Sequence, residues 1–166
     1  MFKRILSIVF ILKVVFATAQ VVDPLERGDT IVQQKWVDTI FNSMNIDEKI
    51  GQLFMVAAYS NSDEKHKKSI EELIYKHHIG GLIFMQGTPL KQAQLSNNYQ
   101  SISKTPLIIA IDGEWGLDMR LKNAYRFPWN MTLGAIRDNK LIEKFGAQLG
   151  AHCKRLGVHI NFAPVV

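Results

Sequence analysis

The chain has 166 residues, 47% of them apolar, which is enough for one domain with a real core and too apolar for a disordered segment. Removing Lys3, Arg4 and Lys13 of the N-terminal segment takes the formal charge from +5 to +2, so the basic balance gives no argument for nucleic-acid binding. A single cysteine, Cys153, excludes an internal disulfide.

The first twenty residues, MFKRILSIVFILKVVFATAQ, read as a secretory signal. Lys3 and Arg4 form its basic start, Ile5 to Phe16 its apolar run, and Ala17-Thr18-Ala19 its small-residue cleavage site. The run is shorter than the ~20 residues of a bilayer span, and Lys13 interrupts it. A cleaved signal over 1–19 is therefore favoured over a retained membrane anchor, and the expected location is periplasmic or extracellular. Residues 20–35 read as a linker and 36–166 as the folded domain.

Trp36, Ile40, Phe41 and Met44 recur at helical spacing. The stretch NIDE fits a capping box with Asn45 as N-cap and Glu48 three residues on, opening a short helix toward Gly51. Leu53 to Ala58 is a candidate strand. Ile70, Leu73, Ile74 and His77 mark one face of a helix over 64–78, whose run KHKK (65–68) reads as solvated. GGLIFMQ (80–86) is a buried strand. Pro89 suits the first turn of a helix running to Ser103 with a weak apolar face, and PLIIAID (106–112) is a third strand. A loop of about twenty residues follows, a length that usually signals function. Leu141, Phe145, Leu149, Cys153 and Leu156 then line one face of a long helix, with Cys153 as a small buried residue, and HINFAPVV is a fourth strand.

Apolar strands alternating with amphipathic helices imply a parallel α/β sheet. Both a doubly wound open sheet and the first half of a (β/α)8 TIM barrel fit this pattern. The last residues belong to an apolar strand with no polar tail, so a chain truncated after its fourth strand is expected.

In either architecture, ligands bind at the carboxyl ends of the strands. Asp112 is expected at such an end, with Glu114, Asp118 and Arg120 following within eight residues. A carboxylate accepts hydrogen bonds from hydroxyls and a guanidinium donates several, which suits a neutral, hydroxyl-rich ligand such as a sugar. Trp115 either offers an apolar face to a pyranose ring or packs under the loop. Asp118 is better read as a loop ion pair with Arg120 or Arg126, and Glu114 is open to the same reading. Asp112 is harder to treat so, because an acid ending an apolar strand is costly unless wet or paired. The five histidines, His66, His77, His78, His152 and His159, read as structural or surface residues. No metal-ligand spacing, phosphate loop or nucleophile elbow is present, and no cofactor is expected.

NIDEKIGQLFMV, GGLIFM, IIAIDGEWGLDMRL, FPWNMTLGAI and LGVHINFAPVV, in this order and spacing, resemble the N-terminal part of glycoside hydrolase family 3, nearest to its bacterial β-N-acetylhexosaminidase branch. The resemblance implies the first half of a (β/α)8 barrel and a retaining glycosidase acting on terminal β-linked N-acetylglucosamine, with β-glucosidase activity as the nearest rival. It implies that Asp112 and Arg120 bind substrate hydroxyls. Relatives often carry Asp-Gln-Glu-Gly-Gly where this chain has Asp112-Gly113-Glu114-Trp115-Gly116. The family's catalytic His and nucleophilic Asp would fall beyond Val166, so no catalytic residue is expected within these residues. A non-catalytic sugar-binding half-barrel is the alternative of a different class.

Overall fold

The computed structural model describes residues 28–164; the expected signal over 1–19, half of the linker and the final Val165-Val166 lie outside them. Two units divide the chain, one ending at Asn42 and the other beginning at Ser43. In the first, helix α1 (Thr30–Ser43) confirms the helical spacing around Trp36. It is opened by Asp29 Oδ1, which accepts from the backbone N–H groups of Ile31 and Val32. No described residue of α1 is buried.

The second unit opens with α2 (Ile46–Gly51), and the capping box forms as expected. Asn45 Oδ1 accepts from Glu48 N–H and Glu48 Oε2 accepts from Asn45 N–H, both at 2.9 Å. Then come β1 (Met55–Tyr59), α3 (Glu64–His77), β2 (Gly81–Gln86), α4 (Pro89–Ile102) and β3 (Ile108–Ile111). After them come α5 (Asn130–Gly134), α6 (Asn139–Arg155) and β4 (Ile160–Asn161). All three strand pairings are parallel, and the sheet order is β1-β2-β3-β4. This order decides between the two architectures. A doubly wound sheet reverses at a switch point and brings non-consecutive strands together, whereas each strand here pairs with its successor. The four strands are those of the first half of a (β/α)8 barrel.

Strand residues alternate between two faces. Ala58, Leu82, Phe84, Ile109 and Ile111 turn toward the helices and form one cluster with Ile70, Ile74, Tyr99, Leu107, Leu149 and Cys153. Each large apolar side chain buried there contributes roughly 1.5–3 kcal/mol. On the other face Ile108 is 46% exposed and Ile160 37%. The core of this unit therefore lies between sheet and helices, outside the barrel's future lumen. Burial pushes the Tyr99 phenol up to about 12 and raises the Cys153 thiol, in keeping with its reading as a small core residue.

Several expectations are corrected at element ends. Leu53 and Phe54 lie in the turn before β1, with Leu53 84% exposed, because the strand begins only where pairing with Gly81 starts. His77 is exposed at the end of α3, where the helix has already turned past the sheet. Leu141 is exposed on the first turn of α6, while Leu149 and Cys153 further along are buried. Among the described residues the fourth strand shortens to two, Ile160 and Asn161, in register with Ala110 and Ile111 of β3. Helix α4 looks weakly apolar because it buries Gln92 and Ser96 beside Tyr99, with Gln92 Nε2 donating to Ser96 Oγ at 2.8 Å.

Glu48 is nearly buried at the amino end of the sheet, where Lys104 Nζ donates to its Oε1 at 2.5 Å. The Lys104 hydrogen bond and then the Asn45 N–H hold its carboxyl below the ordinary 4.5. A lowered folded-state value means this contribution is complete above 4.5 and is lost as pH falls through the folded-state value. Melting temperature should accordingly fall more steeply on acidification below pH 4.5 in wild type than in Glu48→Gln; parallel curves would show that Glu48 does not couple folding to pH.

Candidate sugar-binding site

Because Ile109 and Ile111 face the helices, Ile108, Ala110 and Asp112 face the opposite way, toward the lumen side. Asp112 thus sits at the carboxyl end of β3 on the side where barrel ligands bind, as expected. The segment after it folds back through a 3-10 turn over Leu117–Met119, with Leu117 and Leu121 anchored in the core. That turn brings Arg120 onto Asp112. Its Nη2 donates to Asp112 Oδ2 and its Nε donates to the Asp112 carbonyl at 3.2 Å. Both side chains are 23% exposed. Asp112 Oδ1 is buried and has no hydrogen-bond partner among the described residues. A carboxylate oxygen held this way lacks one donor.

Trp115 is half-buried, and its ring lies 6.3 Å from that of Trp129, tilted by 60°. Trp129 is 57% exposed and carries the Arg126 guanidinium 5.7 Å from its ring centroid. Among the described residues Glu114 pairs with no arginine; its Oε2 accepts from Asn130 Nδ2 at 3.1 Å. Asp118 reaches Arg126 at 4.0 Å, the loop ion pair expected of it. Phe127 N–H donates to the Trp115 carbonyl at 3.0 Å, so the two halves of the long loop are tied together. Trp129, Asn130 and this ordered path escaped sequence reasoning, since nothing in their spacing shows which residue of a long loop meets which.

The loop is also stitched to the neighbouring strand end. Gly87 forms a parallel bridge with Leu121, and its carbonyl accepts from Lys122 N–H at 2.8 Å. Gly87 has φ +139°, and a Cβ there would lie 1.7 Å from Ser60 Oγ at the end of β1. Only glycine fits this junction of three strand ends.

The histidines make the following contacts, one of which corrects the reading of the KHKK run. His66 is not simply solvated: its Nε2 accepts from Tyr59 N–H at 3.1 Å and its ring meets the Tyr59 ring edge-on, closing the end of β1. His78 caps α3 in the left-handed conformation, 3.7 Å from Glu48. His159 Nδ1 accepts from Ile109 N–H at the opposite end of the sheet from Asp112. His152 lies against Phe127 and Gln148. Among the described residues no group of three His, Cys, Asp or Glu side chains could hold a metal ion.

The Glycosyl hydrolase family 3 N terminal domain matches residues 45–166. The chain belongs to glycoside hydrolase family 3. It is 29% identical over 131 residues to a beta-N-acetylglucosaminidase/beta-glucosidase of Cellulomonas fimi, covering 79% of this chain and 22% of that protein. It is 34% identical over 110 residues to beta-hexosaminidase A of Pseudoalteromonas piscicida, covering 58% and 18%. The chain thus spans about a fifth of the length of these curated relatives. Among solved structures, a fungal multi-domain GH3 beta-N-acetylglucosaminidase superposes with a TM-score of 0.60 at 29% identity, covering 72% of this chain and 15% of that one. A beta-glucoside phosphorylase superposes with a TM-score of 0.73 at 20% identity, over 86% and 25%, and that likeness concerns the fold alone.

Gly87→Ala is expected to cost roughly 1–3 kcal/mol through its backbone conformation and the clash with Ser60. It should also raise proteolytic cleavage in the 112–129 loop; a variant as stable and as protease-resistant as wild type would deny Gly87 this role.

Proposed function

We propose that the whole protein to which these residues belong is an exported, retaining glycosidase that removes terminal β-linked N-acetylglucosamine. In this reading Asp112 and Arg120 hold the hydroxyls of the sugar at the non-reducing end, and Trp115 offers the pyranose an apolar face. The observation that carries it is the Asp112–Arg120 pair at the end of β3, with one carboxylate oxygen engaged and the other lacking a donor. A sugar hydroxyl supplies that donor once the carboxylate turns about its soft terminal torsion.

A carboxylate already gripped by a guanidinium is a good acceptor and a poor attacking group. Retention also needs a nucleophile and an acid/base on either side of the scissile bond, and the resemblance gives these as an Asp and a His other than the residues at this strand end. In this reading Asp112 anchors, and the nucleophile and acid/base are other residues of the whole protein. Anchoring works by holding the anomeric carbon in line for that chemistry. The preference for N-acetylglucosamine rests on the names of the relatives. The Cellulomonas fimi name also includes beta-glucosidase, which keeps glucosides as the second reading.

Hydrogen bonds to a charged group contribute roughly 1.5–3 kcal/mol, or about ten- to a hundredfold in rate. Asp112→Ala in the whole protein should lower kcat/KM on an aryl N-acetyl-β-glucosaminide by that factor without changing the melting temperature by more than a few degrees. Unchanged kinetics would remove Asp112 from the site, and faster turnover of the aryl β-glucoside would favour the second reading. Export through the signal segment predicts a mature protein whose amino-terminal sequence begins at Gln20; a start at Met1 in the exported fraction would refute cleavage after Ala19.

A further inference from the structure

Asn161 ends β4 opposite Ile111, and so shares the face of the sheet turned to the helices, behind Asp112. Its side-chain amide grips the backbone of Gly113. Oδ1 accepts from Gly113 N–H at 2.9 Å, and Nδ2 donates to the Gly113 carbonyl at 3.4 Å. Gly113 is buried, and a Cβ there would stand 3.4 Å from Asn161 Oδ1 and 3.3 Å from the Gly116 carbonyl oxygen. The packing around Gly113 is therefore close, leaving little more than van der Waals room beside the amide.

The peptide between Asp112 and Gly113 is consequently held at both poles. Arg120 Nε donates to its carbonyl oxygen, and Asn161 Oδ1 accepts from its N–H. Fixing that peptide plane fixes ψ of Asp112, and with it the direction in which the carboxylate leaves the backbone. The sheet does not need Asn161 for its own cohesion. His159 N–H donates to the Ile109 carbonyl at 2.8 Å and Phe162 N–H to the Ile111 carbonyl at 2.9 Å on either side of it.

We infer that Asn161 is a positioning residue for sugar binding: its amide locks the Asp112–Gly113 peptide from behind, so that Asp112 and Arg120 meet the ligand in one geometry. This rests on the reading of Asp112 and Arg120 as the sugar anchor.

A double-mutant cycle in the whole protein tests it. kcat/KM would be measured for wild type, Asp112→Ala, Asn161→Ala and the double variant, on whichever aryl glycoside wild type hydrolyses. Asn161→Ala alone should lower kcat/KM about tenfold, the scale of one well-placed hydrogen bond. With Asp112 already truncated, removing Asn161 should change it by less than about twofold, because nothing is left to position. A full, independent loss in both backgrounds, or no loss in either, overturns the inference. An Asp112→Ala variant with unchanged kinetics would instead bring down the anchor reading, and this inference with it. If Asn161→Ala fails to fold, the same cycle run with the isosteric Asn161→Asp, which keeps the acceptor for Gly113 N–H and loses the second contact, is judged by the same coupling at its own smaller scale.

Discussion

Strand β3 is four residues long and hydrogen-bonded on both sides, to β2 and to β4. With a period of two, its packing against the helices leaves no freedom in where its next residue points. Ile109 and Ile111 are removed from water by the helical layer, so Ala110 and Asp112 must face the other way. A slip of one residue would bury the Asp112 carboxylate in the apolar cluster, at a cost no loop contact offsets. The site is thus set by hydrophobic burial on the face it does not occupy.

Polar side chains hold this strand at both ends. Before it, Gln100 Oε1 accepts from Leu107 N–H at 2.9 Å and Gln100 Nε2 donates to the Leu107 carbonyl at 2.8 Å. Beyond it, Asn161 makes the corresponding pair of contacts with Gly113. Each side-chain amide replaces a missing strand neighbour, satisfying backbone groups that would otherwise be buried unpaired. Asp112 Oδ1 shares its lack of a partner with two other buried atoms among the described residues, His78 Nδ1 and Gln92 Oε1, and of the three it alone belongs to the residue directly after β3.

Much of this was readable in the residues because it depends on near neighbours. The capping box at Asn45 and Glu48, the Pro89 start of α4 and the αβ alternation all arise from spacing within a few residues. Spacing stops being informative where a helix or strand meets the rest of the protein. Leu141 and His77 keep the helical spacing but lie beyond the part of their helices that faces the sheet. Gln92 and Ser96 break the apolar pattern of α4, yet both are buried, with Gln92 Nε2 donating to Ser96 Oγ and Gln92 Oε1 left without a partner among the described residues. Amphipathic periodicity reports a face, not how far along the helix that face is covered.

The sequence by itself determined that this is a parallel α/β chain, that Asp112 ends an apolar strand, and that its motifs resemble family 3. Those properties depend on local periodicity and on the order of residues along the chain. Tertiary structure alone decided that each strand pairs with its successor, which makes the sheet half a barrel. It alone decided that the loop doubles back so that Arg120 meets Asp112, and that Asn161, forty-eight residues from Gly113, grips the same peptide from behind. Contacts across such separations arise when the sheet closes on its helices, and no spacing along the chain encodes them.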